Sequence, residues 1–235
     1  MSAPRPILIH GSGGDHRLWA AQTAVLAGAV AVDLPGHPDG APLTTLSALA
    51  EAVAAGVASV PGPRALVGHS LGGAVALEVA RTRPELADGV VVVASGLRLP
   101  VPDTTVARAR DDFAAEAARL VEGSFADPGA AMTTTARAVL DACGPDTLAA
   151  DYAACRSVDL RDTAAGIRVP VLVICGDDDP FTPLHHNEAL ARALPMGRLV
   201  VVPGARHLVH AEFDVTVNLL LGAYLARLEL TLDGA

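Results

Sequence analysis

At 235 residues the chain is long enough for a single core that buries roughly 70% of the unfolded surface, so it needs no disulfide or metal staple. Its formal charge of −9 repels phosphate backbones and no basic run with interleaved aromatics offsets it, which excludes nucleic acid as a partner. All 17 basic residues are arginine, so mechanisms that need a Schiff-base, pyridoxal-anchoring or phosphate-loop lysine are excluded as well.

The cysteines, Cys143, Cys155 and Cys175, are odd in number and lack CxxC spacing. They read as small buried apolar residues, with neither a disulfide framework nor a metal site. Met1 to Pro6 holds no apolar core long enough for a signal peptide, and runs such as Val90 to Ala94 and Val169 to Cys175 are too short to cross a bilayer. A cytoplasmic protein with no membrane partner is expected.

In chain order, short apolar runs at Ile7 to Ile9, Ala29 to Val32, Ala65 to Val67, Val90 to Ala94, Val171 to Cys175 and Leu199 to Val202 read as strands. Helical patterns at 16–27, 44–59, 71–83, 184–194 and 212–228 separate or follow them, with Pro183 expected at a first helical position. This alternation predicts an α/β fold with a mostly parallel sheet of about six strands, flanked by helices. From Leu97 to Gly166 the strand signal stops. Three helical faces replace it, Val106/Phe113/Leu120, Met132/Ala136/Val139 and Leu148/Tyr152/Cys155, punctuated by Asp127-Pro128 and Gly144-Pro145. The expected organisation is a core of 1–96 and 167–235, with 97–166 inserted as a helical cap.

Gly68-His69-Ser70-Leu71-Gly72 lies between a strand and a helix, where a nucleophile elbow would sit. Serine at such a turn is strained, and only small residues two positions to either side let the chains approach. The Leu71 N–H at the start of the following helix would then face a reacting carbonyl. A run of three aspartates, Asp177 to Asp179, follows the fifth strand and supplies candidates for the acid that orients a histidine. His207, in Gly204-Ala205-Arg206-His207 after the last strand, completes the order Ser, Asp, His.

With His10-Gly11-Ser12-Gly13-Gly14 after the first strand and Asp33-Leu34-Pro35-Gly36-His37 after the second, the chain resembles the α/β-hydrolase superfamily from Ile7 to Leu228. The resemblance implies Ser12 and Leu71 as backbone donors to an oxyanion. It selects Asp179 by its spacing from Gly176 and Pro183, leaving turn formation to Asp177 and Asp178. A serine at the elbow excludes the dehalogenase and epoxide-hydrolase chemistry of relatives that carry aspartate there. Many members have an antiparallel strand pair ahead of the His-Gly strand, and with six residues before Ile7 the expected sheet is trimmed to about six strands.

The expected activity is hydrolysis of carboxylic esters through an acyl-enzyme, without cofactor or metal. Lactones, thioesters, carbon–carbon cleavage with the same triad and a non-catalytic binding role are the alternatives. Phe113, Met132 and Tyr152 of the cap are expected to shape a dry pocket for small, neutral, apolar acyl substrates. With 11 acidic residues against 7 arginines the segment 97–166 is formally −4, which disfavours anionic substrates.

Overall fold

The computed structural model describes residues 3–233. Six strands, β1 (Arg5–Ile9), β2 (Val30–Val32), β3 (Arg64–His69), β4 (Gly89–Val93), β5 (Val171–Gly176) and β6 (Gly197–Val202), form one sheet in the order β2-β1-β3-β4-β5-β6. Every pairing is parallel. β4 and β5 are buried along their whole length and β1 and β3 nearly so, whereas the edge strands β2 and β6 are half exposed. That gradient explains why the valine, leucine and isoleucine runs are continuous in the middle of the sheet: both faces are covered.

One face packs against α2 (Leu46–Val57), α3 (Leu71–Thr82) and α7 (Leu184–Ala193), through residues such as Leu49, Val53, Val75, Leu77 and Leu190. The other face, with Leu8, Val67, Val91 and Ile174, is covered by Trp19, Val209, Val217 and Leu221. Trp19 ends a 3-10 turn (His16–Trp19) that leads into α1 (Ala20–Val25). Val209 belongs to α8 (Val209–Glu212), and Val217 and Leu221 to α9 (Asp214–Asp233). The connection after β1 runs to one side of the sheet and β3 lies on the other. The carboxyl ends of β1 and β3 therefore flank a switch point, where an open α/β sheet offers its crevice.

Between β4 and β5 lie α4 (Asp103–Asp111), α5 (Phe113–Ser124) and α6 (Ala131–Arg156). Gly144 leaves helical geometry at φ 74°, and with Pro145 it kinks α6 into the two runs expected from the sequence. Helix starts and ends fall within about two residues of the predicted ones, except that α9 runs to Asp233, past the expected end at 228. Pro183 is a correction: with ψ 154° it caps α7, and Leu184 is the first helical residue.

Asp214–Leu232, with mean hydropathy 1.3, is long and apolar enough to cross a bilayer. No continuous apolar run announces it, because Asn218, Gly222, Arg227 and Glu229 interrupt the sequence. Its Val217, Leu221 and Leu228 are buried in the fold, while Val215 and Leu219 are exposed.

Candidate functional site

Ser70 sits between β3 and α3 with φ 51° and ψ −116°, a conformation that L side chains rarely adopt. The turn is held from several sides. The Ser70 N–H donates to Val93 O at 2.9 Å, and Ser95 Oγ donates to Ser70 O at 2.8 Å. The Ser95 N–H in turn donates to Asn187 Oδ1 at 3.1 Å. A Cβ on Gly68 would stand 2.1 Å from Gly72 O, and one on Gly72 would stand 2.3 Å from His10 O. Glycine is required at both positions by close backbone approach.

His207, just past β6, directs Nδ1 at Asp179 Oδ2, 2.8 Å away. Asp179 is buried at the end of β5 and its oxygens are well supplied. Oδ1 accepts from the Phe181 and Thr182 N–H groups at 2.8 and 3.0 Å, and Oδ2 also accepts from Thr182 Oγ1 at 2.7 Å. Burial works against its charge, but the His207 imidazole and these hydrogen bonds prevail and hold the carboxyl well below the usual carboxylate range. Asp177 turns elsewhere, accepting from the Gly204 N–H at 2.6 Å, and Asp178 faces Arg206 at 3.6 Å. Among the described residues no hydrogen bond joins Ser70 to His207, yet both line one cavity of about 320 Å³.

That cavity opens at the switch point. Gly11, Ser12 and Gly13 form part of its rim, and Leu18, Leu99, Leu120, Leu140, Phe181 and Leu208 make much of its wall apolar. Among the described residues the Ser12 and Leu71 N–H groups donate to no protein acceptor, whereas Gly13 N donates to Asp151 Oδ2 at 2.7 Å and Gly14 N to Gly11 O at 3.0 Å.

Tyr152 lines the cavity, and its hydroxyl donates to Glu116 Oε1 at 2.6 Å. Phe113 and Met132 do not line it. Phe113 packs in a cluster with Ala109, Ala117 and Tyr152, and Met132 in one with Phe125, Val139 and Leu208. Their apolar faces are satisfied by neighbouring helices, a destination that helical periodicity alone does not distinguish from a pocket. The polar residues that sequence reasoning missed on the wall include Thr105, Ser124, Thr182 and, the only charged one among them, Arg119. Its guanidinium lies 5.1 Å from the Phe181 ring centroid and is bonded to the buried Glu116.

Of the remaining thiols and imidazoles, Cys155 and His69 also line the cavity. Burial pushes the Cys155 and Cys175 thiols up to about 12 and raises Cys143 further. Burial, reinforced by neighbouring imidazoles, lowers His10 to about 4, His210 to about 3 and His69 well below the ordinary histidine value. His37 is the exception: burial opposes protonation, but the hydrogen bond to Asp151 Oδ2 at 3.0 Å outweighs it and raises the pKa. His37, Cys143 and Asp151 bring one donor atom each to within 4.8 Å of one another. A metal there would have to break the His37–Asp151 bond, and neither of those two residues lines the cavity.

A model of the alpha/beta hydrolase family matches residues 7–218. Over 226 residues the chain is 32% identical to a pimeloyl-[acyl-carrier protein] methyl ester esterase of Neisseria meningitidis serogroup B, covering 87% of each protein. A thermophilic esterase superposes with a TM-score of 0.87 at 31% identity, over 95% of this chain and 90% of that one. An enol-lactonase from Burkholderia xenovorans LB400 shares the fold, with a TM-score of 0.88 at 24% identity over 96% and 92% of the two chains.

Proposed function

Because the chain belongs to the alpha/beta hydrolase family, we propose that it hydrolyses carboxylic esters through an acyl-enzyme on Ser70, with His207 as base, Asp179 as its orienting acid and residues 97–166 as a cap over the reaction. The observation that carries this reading is the 2.8 Å bond between Asp179 and His207, made by a histidine that shares its cavity with the strained serine.

The cycle uses side chains, backbone and water. Asp179 accepts the Nδ1 proton of His207, leaving Nε2 to take the Ser70 proton as Oγ attacks the ester carbonyl. Seating the ester in the cavity draws Ser70 and His207 into that contact. The Ser12 and Leu71 N–H groups receive the oxyanion, the more effectively because they have no other acceptor to leave. His207 then protonates the departing alcohol, and a water activated by the same imidazole releases the acid.

The mostly apolar wall supports small-molecule esters with neutral aliphatic acyl groups. Arg119, the guanidinium on that wall, is held by Glu116, a carboxylate that it shares with Arg108. The meningococcal relative acts on a methyl ester, so methyl esters of aliphatic acids head the substrate list. Three buried free thiols support a cytoplasmic setting.

The test is a panel of methyl and p-nitrophenyl esters, lactones, thioesters and β-diketones, run on the wild type and on Ser70→Ala. Ester turnover highest in the panel and lost in the variant is expected. Preferential cleavage of the β-diketones, or turnover surviving in Ser70→Ala, contradicts the reading.

A further inference from the structure

The Ser12 N–H is useful only if its loop is held still, and the peptide unit that carries it and the one that follows are pinned from opposite directions. On the core side, His10 Nε2 accepts from the Leu34 N–H at 2.9 Å, which puts the ring proton on Nδ1, and Nδ1 donates to Gly11 O at 2.8 Å. On the cap side, the Gly13 N–H donates to Asp151 Oδ2 at 2.7 Å. Asp151 is carried by α6, is buried, and is anchored in turn by His37 Nε2 at 3.0 Å. Gly13 has φ 67°, and a Cβ there would stand 2.5 Å from Leu140 Cδ2, so α6 rests directly on the loop.

The geometry points to Asp151 as a positioning residue for the oxyanion hole, through which the cap fixes the direction of the Ser12 N–H. This rests on the Ser70 acyl-enzyme reading. Asp151 touches no reacting atom. It takes the proton-donating edge of the Gly13 peptide out of competition for the substrate oxygen and leaves the adjacent Ser12 N–H to face the cavity. Its pairing with His37 keeps a buried carboxyl from standing alone beside a site that must accept negative charge. An oxyanion hole displaced by a fraction of an ångström acts on the transition state more than on the bound ester, so the effect falls on kcat.

The test compares wild type, Asp151→Ala and Asp151→Asn in kcat and KM for p-nitrophenyl butyrate and in affinity for butaneboronic acid, which forms a tetrahedral adduct with a nucleophilic serine. Asp151→Ala is expected to lower kcat about 10- to 100-fold and to weaken the boronate by a similar factor, with KM changed less than about twofold. Asp151→Asn, whose amide oxygen at the Oδ2 place still accepts from both Gly13 N and His37 Nε2, is expected to recover most of the loss. Should Asp151→Ala not fold, the double variant Asp151→Leu/His37→Leu removes the pair without stranding either partner and is expected to show the same split. Unchanged kcat in a folded variant lacking the carboxyl overturns the assignment. So does a fall in kcat with unaltered boronate affinity. Boronate binding that is equal in wild type and Ser70→Ala overturns the underlying Ser70 reading, and so separates the two failures.

Discussion

Asp179 is held by four hydrogen bonds, and only one of them, to His207 Nδ1, bears directly on the proposed reaction. Asp179→Asn puts a donor where the ring proton must be accepted and favours the wrong tautomer. Turnover is expected to fall by about four orders of magnitude, as in the serine-protease case, while Asp177→Asn and Asp178→Asn stay within about threefold of wild type. Steady-state kinetics on one ester decides it, and a large loss in either neighbour would move the acid. Thr182→Val removes one charge-assisted hydrogen bond to the Asp179 carboxylate and is expected to cost about 3- to 10-fold in kcat. Ser70 and His207 were legible because each lies next to an element boundary that the sequence marks clearly. Among the three aspartates the spacing of Gly176 and Pro183 pointed to Asp179, by resemblance. Ser95, Thr182 and Asn187 were not legible, since their bonds depend on how separate loops pass one another in space.

At the scale of elements, the elbow is a close crossing of β3, α3 and the end of β1. Gly68→Ala would press a methyl group 2.1 Å from the Gly72 carbonyl oxygen, which is backbone and cannot swing aside. A loss of about 3 kcal/mol or more in urea denaturation is expected, and a near-native midpoint would contradict the packing described. The helical segment between β4 and β5 behaves differently, because its apolar faces divide between the cavity and each other. Leu140→Ala enlarges the cavity and is expected to shift preference from butyrate toward octanoate esters by roughly tenfold in kcat/KM. Phe113→Ala and Met132→Ala are expected to lower thermal stability and leave that preference unchanged. A chain-length shift in either would return them to the pocket. The kink at Gly144-Pro145 and the helix limits were readable from local chemistry. Which side of each helix meets substrate was not, because a 3.6-residue period records burial without recording what does the burying.

For the whole molecule, the parallel sheet follows from the alternation of apolar runs with helices, whereas the strand order, which alternation does not fix, places the switch point between β1 and β3 where the site lies. The buried histidines were not readable as a group, since their separation in sequence hides that His69 and His210 lie with ring centroids 4.8 Å apart. They make the fold sensitive to acid. His10 and His210 resist protonation when folded, at about 4 and about 3, so the unfolded chain binds more protons once the pH falls below the ordinary histidine value. Their contribution is fully present above about pH 6.5 and shrinks toward pH 4, by about 2 kcal/mol each at pH 5. His210 stacks on Trp19 with both ring nitrogens unpartnered, so His210→Phe is expected to keep the stacking and cut the loss between pH 7.5 and 5 by about 2 kcal/mol. An unchanged pH slope in urea titrations would rule that out. His37 acts with the opposite sign: its folded pKa is raised, so its contribution is complete below about pH 6.5 and is lost as the pH climbs through the raised value. The central claim, an acyl-enzyme on Ser70, is tested most directly by rapid mixing with p-nitrophenyl butyrate followed by acid quench and peptide mass analysis. A burst approaching one p-nitrophenol per chain is expected, with a butyryl group on the peptide that contains Ser70. Turnover with the butyryl group on another residue would contradict it.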